Sequence, residues 1–574
     1  MKFLRPAGPV ESGPRDLAVA LLAAFVVGTA ITCALFWPLP MVLDSQRPLG
    51  VFHDGQIWAF DHMVDQLSGE VSRSSWTFRI GYPDSRFTAF VGWGAAAYIA
   101  PLRLVLGPMG AYNLVLFLGP GLSAVSVALL VRRLTGAAPL AAAGAGLAAA
   151  LSPTVLGFLA SGQPVKIQLW TVVLPLLLLA WAVTGPRRVA ALVLLPLAGA
   201  TSAFTAPSLT LYLPFLAGLV VLNELVRERK QLRRPAIAGL LGLGLLAISL
   251  LPARAYHAAN LAAGRDAAFL PANTLIRPKD PFFAPRLFAQ PAEILFGGLE
   301  YGTPTDTAAE HVVYLGLLAV GAVLLALLAR GRGAPLALAV LMLGTTMALG
   351  PHLAHENGWV TTGDGSRLGL PAYALSALGY PLAKSGMYYR AVAIGALGVS
   401  LGIGALSTRL HRWPAVAVAW ILGLAVVADG VRETRSLWPR ACEPPPAHTL
   451  MLELAEADEG AVLELPLDAE DIAGERGMLS ASLHEQPTSS VPYNVFPDRD
   501  ERVGRLSKAV EAALATGQAR EALVDLGFAT VIWRPGSERP TRREDWKERR
   551  RLALVDALGP AEEVDGLLVW RLAD

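Results

Sequence analysis

Carboxylates and an indole ring recur at helical spacing between the first two apolar runs of the chain. Asp54, Trp58, Asp61 and Asp65 follow one another at intervals that place them on one face of a helix over residues 55–67. Such a stripe suits the binding of a sugar or a cation. The alternative is structural: Asp54 caps the helix, and the later carboxylates face water.

Two histidines, His53 and His62, flank this stripe. Together with Asp54 they could ligate a divalent metal such as Mg²⁺ or Mn²⁺, although single histidines near acidic residues are common without a metal. Farther on, Tyr82 begins a Tyr-Pro-Asp segment that is typical of a turn. We therefore treat the metal as a hypothesis and Tyr82 as a candidate ligand platform.

Other polar side chains lie at the ends of apolar runs. Gln163 and Lys166 precede the run at 167–184, where polar groups tend to face a cavity or headgroups; Lys166 could equally snorkel to the interface. Arg390 follows two tyrosines. It could bind a phosphate through both guanidinium arms or anchor the chain at the headgroups.

The elements that must position these residues are apolar. Eleven runs reach, or nearly reach, the length of a bilayer-spanning helix: 17–39, 110–131, 137–155, 167–184, 189–204, 206–226, 236–252, 311–329, 334–350, 391–408 and 413–430. The stretch 87–106 is also apolar, but we interpret it as a re-entrant or interfacial segment. The first run is about as long as a full span and no small-residue cleavage site follows it, so we interpret it as an anchor.

Short basic clusters follow every second run. They are Arg132 and Arg133; Arg187 and Arg188; five residues within 227–234; Arg330 and Arg332; and Arg409 and Arg412. By the positive-inside rule these clusters are cytoplasmic, as is the N-terminus. The segments 40–109, 253–310 and 351–390 are then large outer loops, and 431–574 is an outer domain.

Composition supports a membrane protein. Hydrophobic residues make up 53% of the chain and charged residues only 16%, with a mean hydropathy of +0.46. The net charge of +2 averages two unlike parts, because 42 of the 94 charged residues lie from Arg440 onward, so it gives no indication of nucleic-acid binding. The two cysteines are far apart in sequence and predict neither a disulfide framework nor a thiolate metal site.

The order of motifs resembles a family. The motifs are Gly-Pro-x-Gly-Ala-Tyr-Asn at 107–113, Gly-Gln before x-Trp-x-x-x-Leu-Pro, Glu310-x-x-x-Tyr314-x-Gly, and an aromatic-Arg pair ending at Arg390. This order is similar to that of bacterial GT-C integral-membrane glycosyltransferases with an outer C-terminal domain. Segments of the tail, such as Gly-Ala-Val-Leu-Glu-Leu-Pro at 460–466 and His-Glu-Gln-Pro at 484–487, are similar to the small α/β domain of such proteins.

The resemblance implies a fold and an activity. The fold is a polytopic α-helical membrane domain over 1–430 followed by a small α/β domain over 431–574. The activity is transfer of a sugar from a polyprenyl-phosphate donor to an outer glycan, lipid or protein acceptor, with single inversion. Asp54 matches the family's acidic residue as base or metal ligand, and Gln163 replaces the more common His.

Substrate-binding residues are predicted beside this base. The candidates are Asp61, Tyr82, Gln163, Lys166, Glu310, Tyr314 and Arg390. Arg390 and then Lys166 are the first choices to stabilise the leaving phosphate. A transporter, flippase or assembly factor for lipid-linked glycans is the alternative, but the chain shows neither an internal repeat nor a charged residue central to a span.

Overall fold

The computed structural model describes most of the helical part of the chain. The described residues are 13–49, 53–68, 93–228, 232–251, 289, 291–296, 312–355, 358–378, 388–445, 448–456, 460–467, 479, 483, 486, 488–489, 499–534 and 544–572. Tyr82 and Glu310 lie outside them. The helix that carries His62 and Asp65 is described, but the side chains of these two residues are not.

Helices dominate the region before residue 434. Their bounds are α1 Pro14–Leu35, α2 His53–Ser68, α3 Trp93–Thr135, α4 Pro139–Ala150, α5 Pro153–Ser161, α6 Leu169–Thr184, α7 Arg188–Thr205, α8 Pro207–Thr210, α9 Leu213–Arg227, α10 Arg233–Ser249, α11 Pro291–Phe296, α12 Leu317–Leu328, α13 Ala334–Ala348, α14 Pro371–Ala377, α15 Val392–Ser407 and α16 Arg412–Glu433. Two short strands, β2 Ala354–His355 and β3 Gly358–Trp359, form a hairpin. The protein is a polytopic helical membrane protein.

Each of the eleven predicted spans overlaps at least one of these helices. By length and composition, five described helical segments can cross a membrane alone: Pro14–Leu35, Ala100–Thr135, Arg188–Thr205, Tyr388–Ser407 and Arg412–Glu433. Helices α4 and α5 pass the same test only when they are taken together, and they meet at an angle of 52°. Pro153 begins α5, and a proline at that position breaks the hydrogen-bond ladder of the preceding helix.

The described part of the predicted re-entrant or interfacial segment, residues 93–106, forms the first part of α3. The helix is interrupted at Gly107, whose φ of 66° lies in the region that favours glycine. Before this break, Leu104 and Val105 are 85% and 82% exposed. The kink therefore separates a half-helix with exposed apolar residues from the long buried remainder of α3.

Small residues allow the helices to approach closely. A Cβ atom on Gly344 of α13 would lie 2.1 Å from the backbone nitrogen of Gly395 in α15. A Cβ atom on Gly423 of α16 would lie 2.1 Å from the carbonyl oxygen of Gly144 in α4. Backbone contact through glycine is a common way to pack membrane helices, since lipid supplies no hydrophobic force between them.

The predicted cytoplasmic connections lie together at one end of the bundle, which we call the basic end. Arg133 forms an ion pair of 2.7 Å with the fully buried Glu224, and Arg227 reaches the carbonyl of Arg133. Arg409 hydrogen-bonds the carbonyl of Arg330. The basic clusters thus share one end, as the alternation of charges predicts.

The tail folds as a small α/β unit. A four-stranded sheet has the order β5-β6-β8-β7, where β5 is Ala461–Leu465, β6 is Phe528–Trp533, β7 is Glu562–Val564 and β8 is Leu567–Arg571. The β5–β6 pair is parallel and the other pairs are antiparallel. Helices α17 His448–Glu456, α18 Arg499–Leu514, α19 Ala519–Asp525 and α20 Glu544–Leu558 accompany it.

A short strand pair joins the start of this tail to the membrane domain. Strand β1, Arg47–Pro48, lies antiparallel to β4, Cys442–Glu443. The amide of Leu49 also donates to the carbonyl of Ala441 at 2.8 Å, and the amide of Arg440 donates to the carbonyl of Leu35 at 3.0 Å. The linker after α16 is therefore fixed over the C-terminal end of α1.

Candidate functional site

Helix α2 buries its carboxylate face against α3. Asp54, Trp58 and Asp61 are only 4%, 2% and 3% exposed and lie on one continuous helix, as their spacing predicts; the side chain of Asp65 lies outside the described residues. The carboxylate of Asp61 lies 2.5 Å from Nε of Arg103 in α3. The alternative that Asp61 faces water is wrong, because the residue is buried in an ion pair.

Asp54 is held by an arginine from the segment before α2. Its Oδ1 atom lies 2.9 Å from Nε of Arg47, a residue that is only 2% exposed. The same guanidinium reaches Glu443 of β4, with 2.7 Å between Nη2 and Oε1. Two carboxylates, one from α2 and one from the linker, therefore share one buried cation.

The first residue of α2 contacts the centre of α3. Nδ1 of His53 lies 2.8 Å from the hydroxyl of Tyr112, and the side-chain amide of Asn113 donates to the carbonyls of Leu43 and Gln46 at 2.8 Å each. These contacts give the Ala-Tyr-Asn part of the 107–113 motif a structural role: it fixes the segment that carries Arg47.

Burial lowers the pKa of His53 well below its usual value, and the charges of Arg440 and Arg47 lower it further. His53 is therefore neutral at pH 7. It is fully buried, and its ring lies edge-on to those of Phe36 and Tyr112. The histidine next to Asp54 thus adds no charge to the site.

A second buried cation comes from the linker. Arg440 is 1% exposed, and burial lowers its pKa to about 10, although the charge of Tyr112 acts in the opposite direction. The guanidinium is still protonated at pH 7. About 30 Å of helix, twenty residues at 1.5 Å each, separates Tyr112 from Arg132 at the basic end. The cluster of Asp54, Arg47 and Arg440 thus lies at the opposite end, which we call the site end.

The C-terminal end of α5 supplies the predicted polar segment. Gly162 ends the helix in the left-handed conformation, and Gln163 follows, half-buried. Lys166 is 4% exposed, and its ammonium lies 5.3 Å from the centroid of the Phe158 ring. The side-chain oxygen of Gln168 accepts from the Trp170 indole at 2.6 Å. Lys166 is therefore packed inside the protein, which disfavours simple snorkelling.

Tyr314 lines a cavity of about 580 Å³ between α11, α12 and α16. Its hydroxyl donates to Asp429 at 2.6 Å, and Arg432 forms an ion pair of 3.2 Å with the same carboxylate. A Cβ atom on Gly316 would lie 2.8 Å from both the Tyr314 hydroxyl and the Asp429 oxygen. The Tyr-x-Gly motif therefore leaves room for this hydrogen bond.

The buried contacts of Tyr314 are separate from those of Arg390. Tyr314 packs with Ala160 of α5 and with Leu437 of the linker, so the ends of α5, α12 and α16 meet below the tail. Arg390 lies in a different part of the site end: its short 3₁₀ helix, Tyr388–Ala391, packs against α13 and α8. Its Nε donates to the Tyr389 hydroxyl at 3.3 Å, and its guanidinium lies 5.6 Å from that ring.

The described side chains do not form a metal centre. In this part of the chain no three His, Cys, Asp or Glu side chains converge. Asp54 is paired with Arg47, and Nδ1 of His53 is taken by Tyr112. A divalent cation at Asp54 would lie beside a guanidinium, so these residues do not fit one.

Sequence reasoning missed the partners of the carboxylates. Arg47 precedes Asp54 in the same loop and was not recognised as its partner, whereas Arg440 lies close to His53 because the linker returns to α1 across almost 400 residues of sequence. Asp429 was missed because it lies in the last turns of an apolar run. The signal that could have identified it is its spacing of three residues from Arg432, which predicts an ion pair on one helix face.

Several solved structures have a similar fold. The arabinofuranosyltransferase AftD from Mycobacteria is 18% identical, with a TM-score of 0.51 over 92% of this chain and 37% of that chain. The chain has the GT-C fold. This agrees with the resemblance found in the sequence, and at this identity the likeness establishes the fold alone.

Two further structures align less closely. An oligosaccharyltransferase from Archaeoglobus fulgidus, in complex with Zn and sulfate, is 12% identical, with a TM-score of 0.47 over 89% of this chain and 68% of that chain. ArnT from Cupriavidus metallidurans, bound to undecaprenyl phosphate, is 13% identical, with a TM-score of 0.40 over 98% of both chains. No protein-family model and no curated protein sequence matches the chain.

Proposed function

We propose that the protein is a membrane glycosyltransferase that moves a sugar from a polyprenyl-phosphate donor to an acceptor on the outer side of the membrane. The observation that carries this proposal is the place of Asp54. It is a buried carboxylate on the first helix after α1, at the site end of a GT-C fold. That is the position at which the sequence motifs put the acid.

The proposed reaction is a single displacement. The acceptor hydroxyl gives its proton to Asp54 as its oxygen bonds to the sugar carbon. The bond from that carbon to the phosphate oxygen breaks on the opposite face, and the polyprenyl phosphate leaves with the electron pair. Configuration at the sugar carbon is therefore inverted, and no covalent enzyme intermediate forms.

Cations at the site end stabilise the leaving phosphate. Arg390 remains our first choice and Lys166 our second, because both lie beside aromatic rings that lower the local dielectric. The proposed sugar-binding and lipid-binding groups are Asp61, Tyr82, Gln163, Glu310 and Tyr314. Asp61 is paired with Arg103, so its role is to orient α2 or to accept a sugar hydroxyl.

The proposal assigns a division of labour along the chain. Residues 1–430 hold the donor and the base, and the α/β domain over 431–574 binds the acceptor or packs on the membrane domain. The divalent ion, Mg²⁺ or Mn²⁺, that the sequence predicts at Asp54, His53 and His62 stays a prediction at His62, whose side chain lies outside the described residues. Retention of activity in excess EDTA would eliminate it.

The proposed location is the bacterial plasma membrane, with the basic end in the cytoplasm and the tail outside. Cysteine introduced at Glu453, an exposed residue of α17, should react with an impermeant maleimide in cells with a permeabilised outer membrane. Cysteine introduced at Arg187, exposed at the basic end, should react only after lysis. The reverse pattern would invert the orientation and remove the basis for an outer acceptor.

The test of the function uses purified protein in lipid. We expect one member of a panel of radiolabelled polyprenyl-phosphate sugars to be consumed when a membrane extract supplies acceptors, with inverted configuration in the product. Arg390→Lys keeps the charge but loses the forked geometry, so the donor KM should rise about tenfold or more. Arg435→Lys, an exposed arginine after α16, is the matched control and should leave KM unchanged.

Absence of transfer from every donor in the panel would contradict the proposal. A protein that instead moves a lipid-linked glycan across the bilayer of lipid vesicles without cleaving it would be a flippase. An equal rise of KM in Arg390→Lys and Arg435→Lys would contradict the role of Arg390 in donor binding.

A further inference from the structure

One buried guanidinium serves two carboxylates that come from opposite parts of the chain. Arg47 is 2% exposed, with Asp54 at 2.9 Å and Glu443 at 2.7 Å. The two partners differ in environment, since the side chain of Asp54 is 6% exposed and that of Glu443 is 37% exposed. Glu443 is therefore in partial contact with water, whereas Asp54 is enclosed by protein.

This arrangement bears on what Asp54 must do as a base. When Asp54 accepts a proton it becomes neutral, and the ion pair with Arg47 is lost. A buried guanidinium without a counter-ion is strongly unfavourable, so a lone Arg47–Asp54 pair would resist protonation and make a weak base. When Asp54 is protonated, Glu443 remains as the counter-ion of Arg47.

We propose that Glu443 is a positioning residue that balances the charge of Arg47 and so allows Asp54 to accept the proton of the acceptor. The inference rests on the proposed function of Asp54. It also assigns the linker a role in the reaction: strand β4 brings the second carboxylate to the site by pairing with β1, which carries Arg47.

Among the described residues, the other charged groups named at this site do not replace Glu443. His53 is neutral because burial lowers its pKa. Asp61, two turns farther along α2, is paired with Arg103 of α3. Arg440 adds positive charge, and Tyr112 hydrogen-bonds His53. Because the neighbourhood holds two buried guanidinium groups, removing one carboxylate shifts the local balance toward positive charge and favours the ionised form of Asp54.

The decisive measurement follows the proton on Asp54 directly. In full-length protein, infrared difference spectra recorded against pH show the band of a protonated carboxyl, and Asp54→Asn identifies the band that belongs to Asp54. In Glu443→Gln, which keeps the size of the side chain, we expect the midpoint of this band to fall by about one pH unit, a tenfold change in proton affinity. Glu443→Asp should restore it in part.

Activity gives the second arm. The acid limb of the pH–rate profile should move down by the same amount in Glu443→Gln, and the rate at the plateau should fall about threefold to tenfold as the base weakens. Glu453→Gln removes another half-exposed carboxylate that pairs with an arginine, Arg571 at 3.0 Å in the tail. As the matched control it should change neither the band nor the profile.

The outcomes separate the two claims. An unmoved band in a folded Glu443→Gln protein, or a uniform loss of rate with an unmoved acid limb, would overturn the inference and leave Glu443 a structural residue. A shifted band in a wild-type protein that transfers no sugar would support the charge balance at Arg47 while contradicting the proposed glycosyltransferase.

Discussion

Gly316→Ala should destabilise the site end. Gly316 has a φ of 88° and a ψ of 151°, a conformation that is essentially restricted to glycine and that costs an alanine about 1–3 kcal/mol. The new Cβ atom would also lie 2.8 Å from two oxygen atoms, those of Tyr314 and Asp429. Their hydrogen bond, which involves a carboxylate, contributes about 1.5–3 kcal/mol.

The sum is a loss of about 2.5–6 kcal/mol in the free energy of unfolding. Titration with SDS in mixed micelles, followed by tryptophan fluorescence, measures it. Gly321→Ala in the same helix is the matched control, because a Cβ atom there meets nothing within 4 Å. Alanine should leave that position unchanged or stabilise it by up to about 1 kcal/mol.

Two results would refute this reasoning. One is a Gly316→Ala protein as stable as the Gly321→Ala control. The other concerns Tyr314→Phe, which removes the hydrogen bond alone: in that background, Gly316→Ala should cost only its backbone share of about 1–3 kcal/mol. Full additivity of the two changes would show that the methyl group does not act through the bond to Asp429.

Two further predictions concern buried charges, both read from the free energy of unfolding. Glu224→Leu should cost about 3–5 kcal/mol because it leaves Arg133 buried without its counter-ion, and the double variant Arg133→Met/Glu224→Leu should recover most of this; no recovery would contradict the pairing. Because the lowered pKa of His53 means that only the unfolded chain takes up its proton, stability should fall as the pH drops below about 6.5, by up to about 1.4 kcal/mol per pH unit. His53→Gln should flatten this slope, and an unchanged slope would exclude His53 as its source.

Periodicity and charge alternation predict the helical part of the fold well because both are local in sequence. The eleven apolar runs each overlap a helix. Asp54, Trp58 and Asp61 are buried side chains of the predicted helix α2. What periodicity cannot show is how a run is divided. The break between α4 and α5 depends on Pro153, whose effect on a span is a bend of 52° rather than an end.

The environment of the site could not be predicted for a different reason. A carboxylate on a helix face reads the same whether it meets water or an arginine, and the arginines here arrive through the tertiary structure. Arg103 approaches Asp61 across the first outer segment, and β4 carries Glu443 to Arg47 across 396 residues. The pairing of β1 with β4 makes Glu443 and Arg47 neighbours, and the packing of α2 on α3 makes Asp61 and Arg103 neighbours.

The most direct test of the central claim is the turnover of Asp54→Asn. This change keeps the shape of the side chain but removes the base, so transfer from a polyprenyl-phosphate sugar should fall by about two to four orders of magnitude in protein that is inserted and folded. Asp61→Asn, whose carboxylate lies about 10 Å farther along α2, should lose less. Wild-type turnover in Asp54→Asn would contradict the account, and the base would then have to be sought among Asp61, Asp65 and Glu310.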